Sequence, residues 1–147
     1  MAAPTTVPGS KFIVEIGDGA TPTESFDVPC SITSKGVVFT GTPQENTVRD
    51  CDNPAAPTWI ARTMSSLSAE FTGSGTLALE DFEIWRVWFE DALTKNIRIA
   101  MAVPAPDGGA WEGPAILSSM SYNSADNELV QIEVTILSAA PWLWNPA

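Results

Sequence analysis

The side chains able to do chemistry are acids without a base. Glu80 with Asp81 and Glu90 with Asp91 are adjacent carboxylates, Asp50 and Asp52 flank Cys51, Cys30 is the second thiol, and the chain has no histidine. Histidine is the usual general base, proton shuttle and metal ligand, so Ser-His-Asp and Cys-His arrangements are excluded. A glycosidase needs two carboxylates converging across a cleft from separate elements. Both pairs here belong to one helical segment, where a solvated face accounts for them. Asp50-Cys51-Asp52 opens like a calcium loop but lacks the glycine at its sixth position and the closing glutamate. Gly73-Ser74-Gly75 is too short for a phosphate loop and has no lysine. Two cysteines are too few for a zinc site or a disulfide framework and read as free thiols of a reducing cytosol. No catalysis, cofactor or metal is expected.

Six tryptophans are the other reactive surface. Trp59, Trp111, Trp142 and Trp144 stand at loop ends or near the C-terminus. They suit either sugar stacking or anchoring into neighbouring subunits, and aromatics with few charges nearby favour anchoring. Trp85 and Trp88 lie in LEDFEIWRVWFEDAL, residues 79–93. There Leu79, Phe82, Trp85, Phe89 and Leu93 recur at helical spacing. That stripe is the expected core face. Ile84, Val87 and Trp88 form a second apolar side, expected to meet another chain. This division predicts that losing Trp85 weakens the subunit, while losing Trp88 weakens assembly more than folding. Thr76 is placed to cap the helix start, Glu80, Asp81 and Glu83 suit its positive end, and Lys95 and Asn96 suit its exit.

The elements around the helix have a two-residue period. Residues 11–17 predict a strand with Phe12, Val14 and Ile16 on one face. Residues 26–34 read as a strand bent or edged by Pro29. Residues 64–73 place Leu67, Ala69 and Phe71 opposite Ser66, Ser68, Glu70 and Thr72, and Gly73-Ser74-Gly75 reads as the following turn. Residues 97–103 and 111–122 read as strands, the latter with a bend near Gly113-Pro114. In residues 128–137, Val130, Ile132, Val134 and Ile136 alternate with Gln131, Glu133 and Thr135. Residues 17–24 and 104–109 are turn chemistry. Residues 41–58 have no period and read as a long loop, either reaching another subunit or floppy on the surface, with the first favoured because the stretch ends in Trp59. Residues 1–10 read as an extended arm, disordered or docked on a partner, and residues 139–147 as a proline-rich extension. The class is β-rich with one covering helix, in one domain.

The net charge of −11 argues against a nucleic-acid reader, which needs a basic patch. It does not argue against a surface that lets nucleic acid pass without holding it, since like charge repels and the polymer would slide. No signal peptide or membrane-spanning run is visible, so a soluble protein made in the cytoplasm is expected.

The order of these features resembles the tail tube proteins of long-tailed bacteriophages. In that family an arm leads into strands and a long inter-ring loop, followed by a strand, a single helix and a closing group of strands. Here the arm is residues 1–10 and the loop residues 41–58. The pre-helix strand is Ser65-Ser66-Leu67-Ser68-Ala69-Glu70-Phe71. The ending runs Trp111-Glu112-Gly113, Ile116-Leu117-Ser118-Ser119-Met120 and Val130-Gln131-Ile132-Glu133-Val134-Thr135-Ile136. The likeness covers nearly the whole chain as pattern and order. It implies an antiparallel β-sandwich or small barrel of two packed sheets with one flanking helix, about residues 78–93. It also implies hexameric rings, stacked into a tube through which double-stranded DNA passes without specific binding. Tape-measure, tail-terminator and distal tail or baseplate proteins are the implied partners; no membrane is. The protein would be a virion component assembled in the host cytoplasm. Ser66, Ser68, Glu70, Thr72, Gln131, Glu133 and Thr135 are then channel-wall candidates. Ile84, Val87, Trp88, Trp59, Trp142 and Trp144 are inter-subunit candidates. The rival readings are a carbohydrate-binding β-sandwich, and another ring-forming part such as a tail terminator or secretion-tube protein.

Overall fold

The computed structural model describes residues 3–19, 24–104 and 107–146. The ends of the expected arm and C-terminal extension, and parts of the turns at 17–24 and 104–109, lie outside the described residues. A short 3-10 turn, Gly9–Lys11, leads into β1, Phe12–Gly17. There follow β2 (Phe26–Asp27), β3 (Ser34–Val48), β4 (Trp59–Thr76), α1 (Leu79–Glu90), β5 (Thr94–Met101), β6 (Gly109–Asn123), β7 (Gln131–Ser138) and β8 (Leu143–Pro146). All strands join one open antiparallel sheet in the order β2-β1-β5-β6-β7-β4-β3, with β8 pairing β6 beside that path. The expected pair of stacked sheets is replaced by this single sheet. Its hinge is β6. The first half of β6 pairs β5 and its second half pairs β7, so one long strand joins two halves of the sheet. The irregularity in β6 falls between Leu117 and Ser119, not at Gly113-Pro114.

One face of the sheet is the core. Val14 and Ile16 stand opposite Ile99 and Ile97, and Phe71, Ile136 and Leu117 form a row across three strands. The buried set adds Ile132, Val134, Ala115, Ile32, Trp85 and Trp88. The alternation read in residues 11–17 and 128–137 holds for Val14, Ile16, Ile132, Val134 and Ile136, while Val130 stays exposed.

The helix turns a different side inward from the one its spacing predicts. Asp81, Trp85 and Trp88 are buried; Leu79, Phe82, Phe89 and Leu93 are exposed. Two features set this rotation. Trp85 and Trp88 stack at 5.9 Å with their planes 16° apart, filling the space over the sheet with two large rings. At the helix start, Ser31 N–H and Oγ–H donate to Asp81 Oδ2 at 2.8 and 3.0 Å, and Ser31 Oγ accepts from Ala78 N–H at 2.9 Å. A distant serine therefore does the capping expected of Thr76, which ends β4. The helix closes in a Schellman pattern: Leu93 N–H reaches Trp88 O, and Ala92 N–H reaches Phe89 O. The left-handed residue is Ala92, φ 51°, and not Asn96. Trp88 Nε1–H donates to Leu93 O at 2.8 Å and fastens the exit.

Two loop readings are overturned. Residues 41–48 continue β3, which pairs β4 from Ser34↔Ser74 out to Val48↔Trp59. The long loop shrinks to the tip of a hairpin. Gly73-Ser74-Gly75 is strand, not turn. A Cβ on Gly75 would strike Ser31 O, so glycine lets the Ser31 segment lie against β4, where Thr33 N–H donates to Ser74 O. The expected strand over residues 26–34 is reduced to β2. Phe26 is held under the Arg98 guanidinium, 4.1 Å from the ring centroid.

Candidate functional site: a polar sheet face between two bare edges

The second face of the sheet follows from the register. Directly opposed residues share a face; two rows run across β3, β4, β7 and β6, and a third across β4, β7 and β6. The first is Ser34–Ser74–Glu133–Ser121 and the second Gly36–Thr72–Thr135–Ser119; Thr76–Gln131–Asn123 continues them. Thr40 and Thr42 stand opposite Ser68 and Ser66 further along the hairpin. One row interrupts the pattern: Val38–Glu70–Leu137–Ile116 carries three apolar side chains around a carboxylate. Ser34, Thr72, Ser74, Ser119, Ser121 and Glu133 border a shallow depression of about 340 Å³.

Ser66, Ser68, Glu70, Thr72, Gln131, Glu133 and Thr135 therefore lie on one continuous face. Ser34, Ser74, Ser119, Ser121 and Asn123 extend it and were not singled out by sequence. Their strands lacked clean alternation, and only the register of β3 and β6 brings them alongside. The helix lies against the opposite face, through Trp85 and Trp88.

This four-strand face ends at two edges without strand partners among the described residues. One is the outer edge of β3. The other is β6 beyond Ile116, where β5 has ended and only β7 pairs. Beyond Ala69 the β3–β4 hairpin leaves the sheet entirely, since β4 pairs β7 only from Glu70 to Thr76. Its core-side face carries Leu67, Met64 and Ile60, all exposed, with an exposed Arg62–Glu45 ion pair at 2.9 Å. At its tip Trp59 is 84% exposed.

The inter-subunit candidates divide. Ile84 is exposed and Val87 half-buried, but Trp88 is 0% exposed inside its own subunit, so it is not available to a neighbour. Trp142 is half-buried, donating Nε1–H to Pro114 O at 3.0 Å. Trp144 packs on Trp111, with ring centroids 4.7 Å apart. Both hold β8 to the chain's own β6. With Phe39 joining Trp111 and Trp142, these rings pack on one another.

Acid groups gather nowhere on the described surface into a cluster able to hold a metal. Cys30 and Cys51 are exposed and unpaired. Burial raises the Tyr122 hydroxyl above its ordinary value, with Arg86 pulling it down and Glu90 pushing it up. No helix is long and apolar enough to cross a membrane among the described residues.

Residues 6–142 match the model of a family described as phage tail tube protein. A solved structure of the tail of an empty gene transfer agent particle, refined with C6 symmetry, superposes with a TM-score of 0.76 at 18% identity. The alignment covers 95% of this chain and 99% of that one. The SPP1 tail tube gives 0.70 at 13%, covering 97% and 80%. An extracellular contractile injection system, PVC, in its sheath–tube complex gives 0.63 at 17%, covering 97% and 93%. At these identities the likeness is one of fold. No curated protein sequence matches the chain. The family match across residues 6–142 decides the assignment: this chain belongs to the phage tail tube proteins, structural parts of the virion tail and not enzymes.

Proposed function

We propose that six copies of the chain close into a ring by pairing the bare edge of β3 with the bare edge of β6 on the next copy. The rings stack, and the polar face of β3, β4, β7 and β6 lines the channel. The observation that carries this reading is the coincidence of the polar face with the two free edges. The face begins at one unpaired strand and ends at the other. Three antiparallel steps separate β3 from β6, so the two run in opposite directions. Copies of one orientation can therefore join edge to edge without breaking the alternation. Closure also removes the exposed edges that a lone sheet must otherwise protect. The six-fold symmetry of the gene transfer agent tail supports the copy number.

In such a ring Ser66, Ser68, Thr72, Gln131 and Thr135 present neutral hydrogen-bonding groups to passing DNA. Glu70 and Glu133 repeat around the wall as negative charge that repels phosphate. The polymer is conducted and not held. The hairpin continues both faces: Thr42, Gln44 and Thr63 extend the polar side, and Pro43, Met64 and Ile60 extend the apolar side. A bare two-stranded ribbon is marginal alone. Stacking covers its apolar side with the adjacent ring; Trp59 at the tip and Ile84 and Val87 on the helix are further contact residues. Tape-measure, terminator and distal tail or baseplate proteins are the partners such a tube requires in its lumen and at its ends.

Negative-stain microscopy of purified protein at high concentration tests the reading. Long hollow filaments are expected. Isolated rings without filaments would favour a terminator-like part, and featureless monomers would overturn the assembly.

A further inference from the structure

At Ser138 the sheet forks. β7 ends there, with Ser138 Oγ accepting from Ala69 N–H at 3.0 Å in place of a further backbone carbonyl. The chain swings out through residues 139–142 and returns as β8 against β6. β8 and the outgoing half of β4 do not pair. Between β4 and residues 138–142 opens an apolar cleft of about 370 Å³, lined by Phe39, Leu67, Ala69, Ala140, Pro141 and Trp142. One wall is a free strand edge, since β4 below Ala69 has no partner on that side among the described residues. The other wall is aromatic. An extended, proline-bearing segment suits both.

The N-terminal arm offers such a segment. Residues 3–8 read Ala-Pro-Thr-Thr-Val-Pro, and all are exposed, without secondary structure. In an extended strand, successive residues direct their N–H and C=O groups to opposite edges. Pro4 and Pro8 are four apart and therefore fall on the same edge, which loses two donors. Ala3, Thr5 and Val7 fall on the other, which keeps all of its donors. The arm is thus a strand with one pairing edge. It can add to a free strand and cannot pass pairing on to another.

Placement supplies the occupant. Phe12, Met101, Gly109 and Pro146 stand in one row, so the arm leaves β1 at the end of the molecule where the fork opens. Copies within one ring share an orientation, whereas an adjacent ring presents its opposite end. We propose that the arm of one copy, residues 3–8, lies in the fork of the laterally adjacent copy. There Thr5 and Val7 pair with β4, and the prolines face the side of Trp142 and Phe39. This rests on the ring reading above and adds a strap that links neighbours within each ring.

The test uses full-length chain with Cys30→Ser and Cys51→Ser, plus Val7→Cys and Ala140→Cys, assembled and treated with a short bismaleimide. All four positions are exposed. A ladder of crosslinked species that stops at six copies is expected. A ladder running past six would move the arm to another ring, and crosslinking only within single chains would return it to its own fork. Filaments without any crosslink would leave the ring standing and overturn the arm. Absence of rings from wild-type protein would overturn the ring reading itself. Should the variant not assemble, residue-resolved amide exchange on wild-type tubes decides the matter. Thr5 and Val7 should exchange at least tenfold more slowly than Thr6. Equal, fast exchange at all three would overturn the proposal.

Discussion

The helix-bearing wing and the β3–β4 hairpin contrast in what they leave uncovered. In the wing, Trp85, Trp88, Ile99, Ile132 and Ile136 are each 0% exposed. In the hairpin, Trp59 is 84% and Leu67 80% exposed, on a ribbon with no third strand. The wing has enough layers to exclude water from its own apolar groups. The hairpin's core-side face carries Leu67, Met64 and Ile60 beside the Arg62–Glu45 pair, with nothing in its own described chain to lay on it. Contiguous apolar surface of this kind marks a contact with another molecule. On the proposed reading, the first region sets whether a subunit folds, and the second whether subunits assemble.

The largest test of that division is Trp88→Ala. Because Trp88 is buried beside Trp85, each truncation should cost about 3–5 kcal/mol of subunit stability, read as a fall in the urea midpoint of the monomer. The sequence alone assigns Trp88 to an interface; a small stability loss with a large assembly defect would restore that assignment. Next in size is Asp81→Ala. It removes the acceptor of both Ser31 donors and should destabilise the monomer by about 1–3 kcal/mol. An unchanged midpoint would mean that the tie between helix and sheet is not needed. Ala92→Gly should act in the opposite direction. Relieving a left-handed alanine stabilises by about 1 kcal/mol, checked by the same unfolding curve.

Leu67→Ser belongs to the other region. Its effect on monomer stability should stay within about 0.5 kcal/mol, while the protein concentration needed for filaments rises several-fold by light scattering. A monomer that unfolds as readily as the Trp85 variant would erase the distinction between the regions.

What was legible in the sequence follows the same division. Where one chain buries one face of a strand, as with Val14 and Ile16 or Ile132, Val134 and Ile136, the alternation is clear. Residues 41–48 read as loop because Thr42, Gln44 and Asn46 face a polar side while Pro43, Glu45 and Thr47 line a side left open in the single subunit. A strand completed by another molecule carries little internal pattern. Pro43 is tolerated where the register shifts and β3 is an edge. The helix was recognised by period, but its rotation was not. A five-residue apolar stripe predicted the wrong inward side, because Asp81, held by a serine fifty residues away, and the stacked tryptophans outweigh a count of apolar positions. The polar-face residues on β4 and β7 are visible as polar alternates. Ser34, Ser119 and Ser121 needed the pairing of strands distant in sequence.

A side-chain-resolution helical reconstruction of the assembled tube bears most directly on the central claim. The account predicts six copies per ring, β3 of each hydrogen-bonded to residues 117–123 of the next, and Glu133 and Thr72 facing the channel. A tube in which β3 stays unpaired, or in which the polar face looks outward, would contradict it.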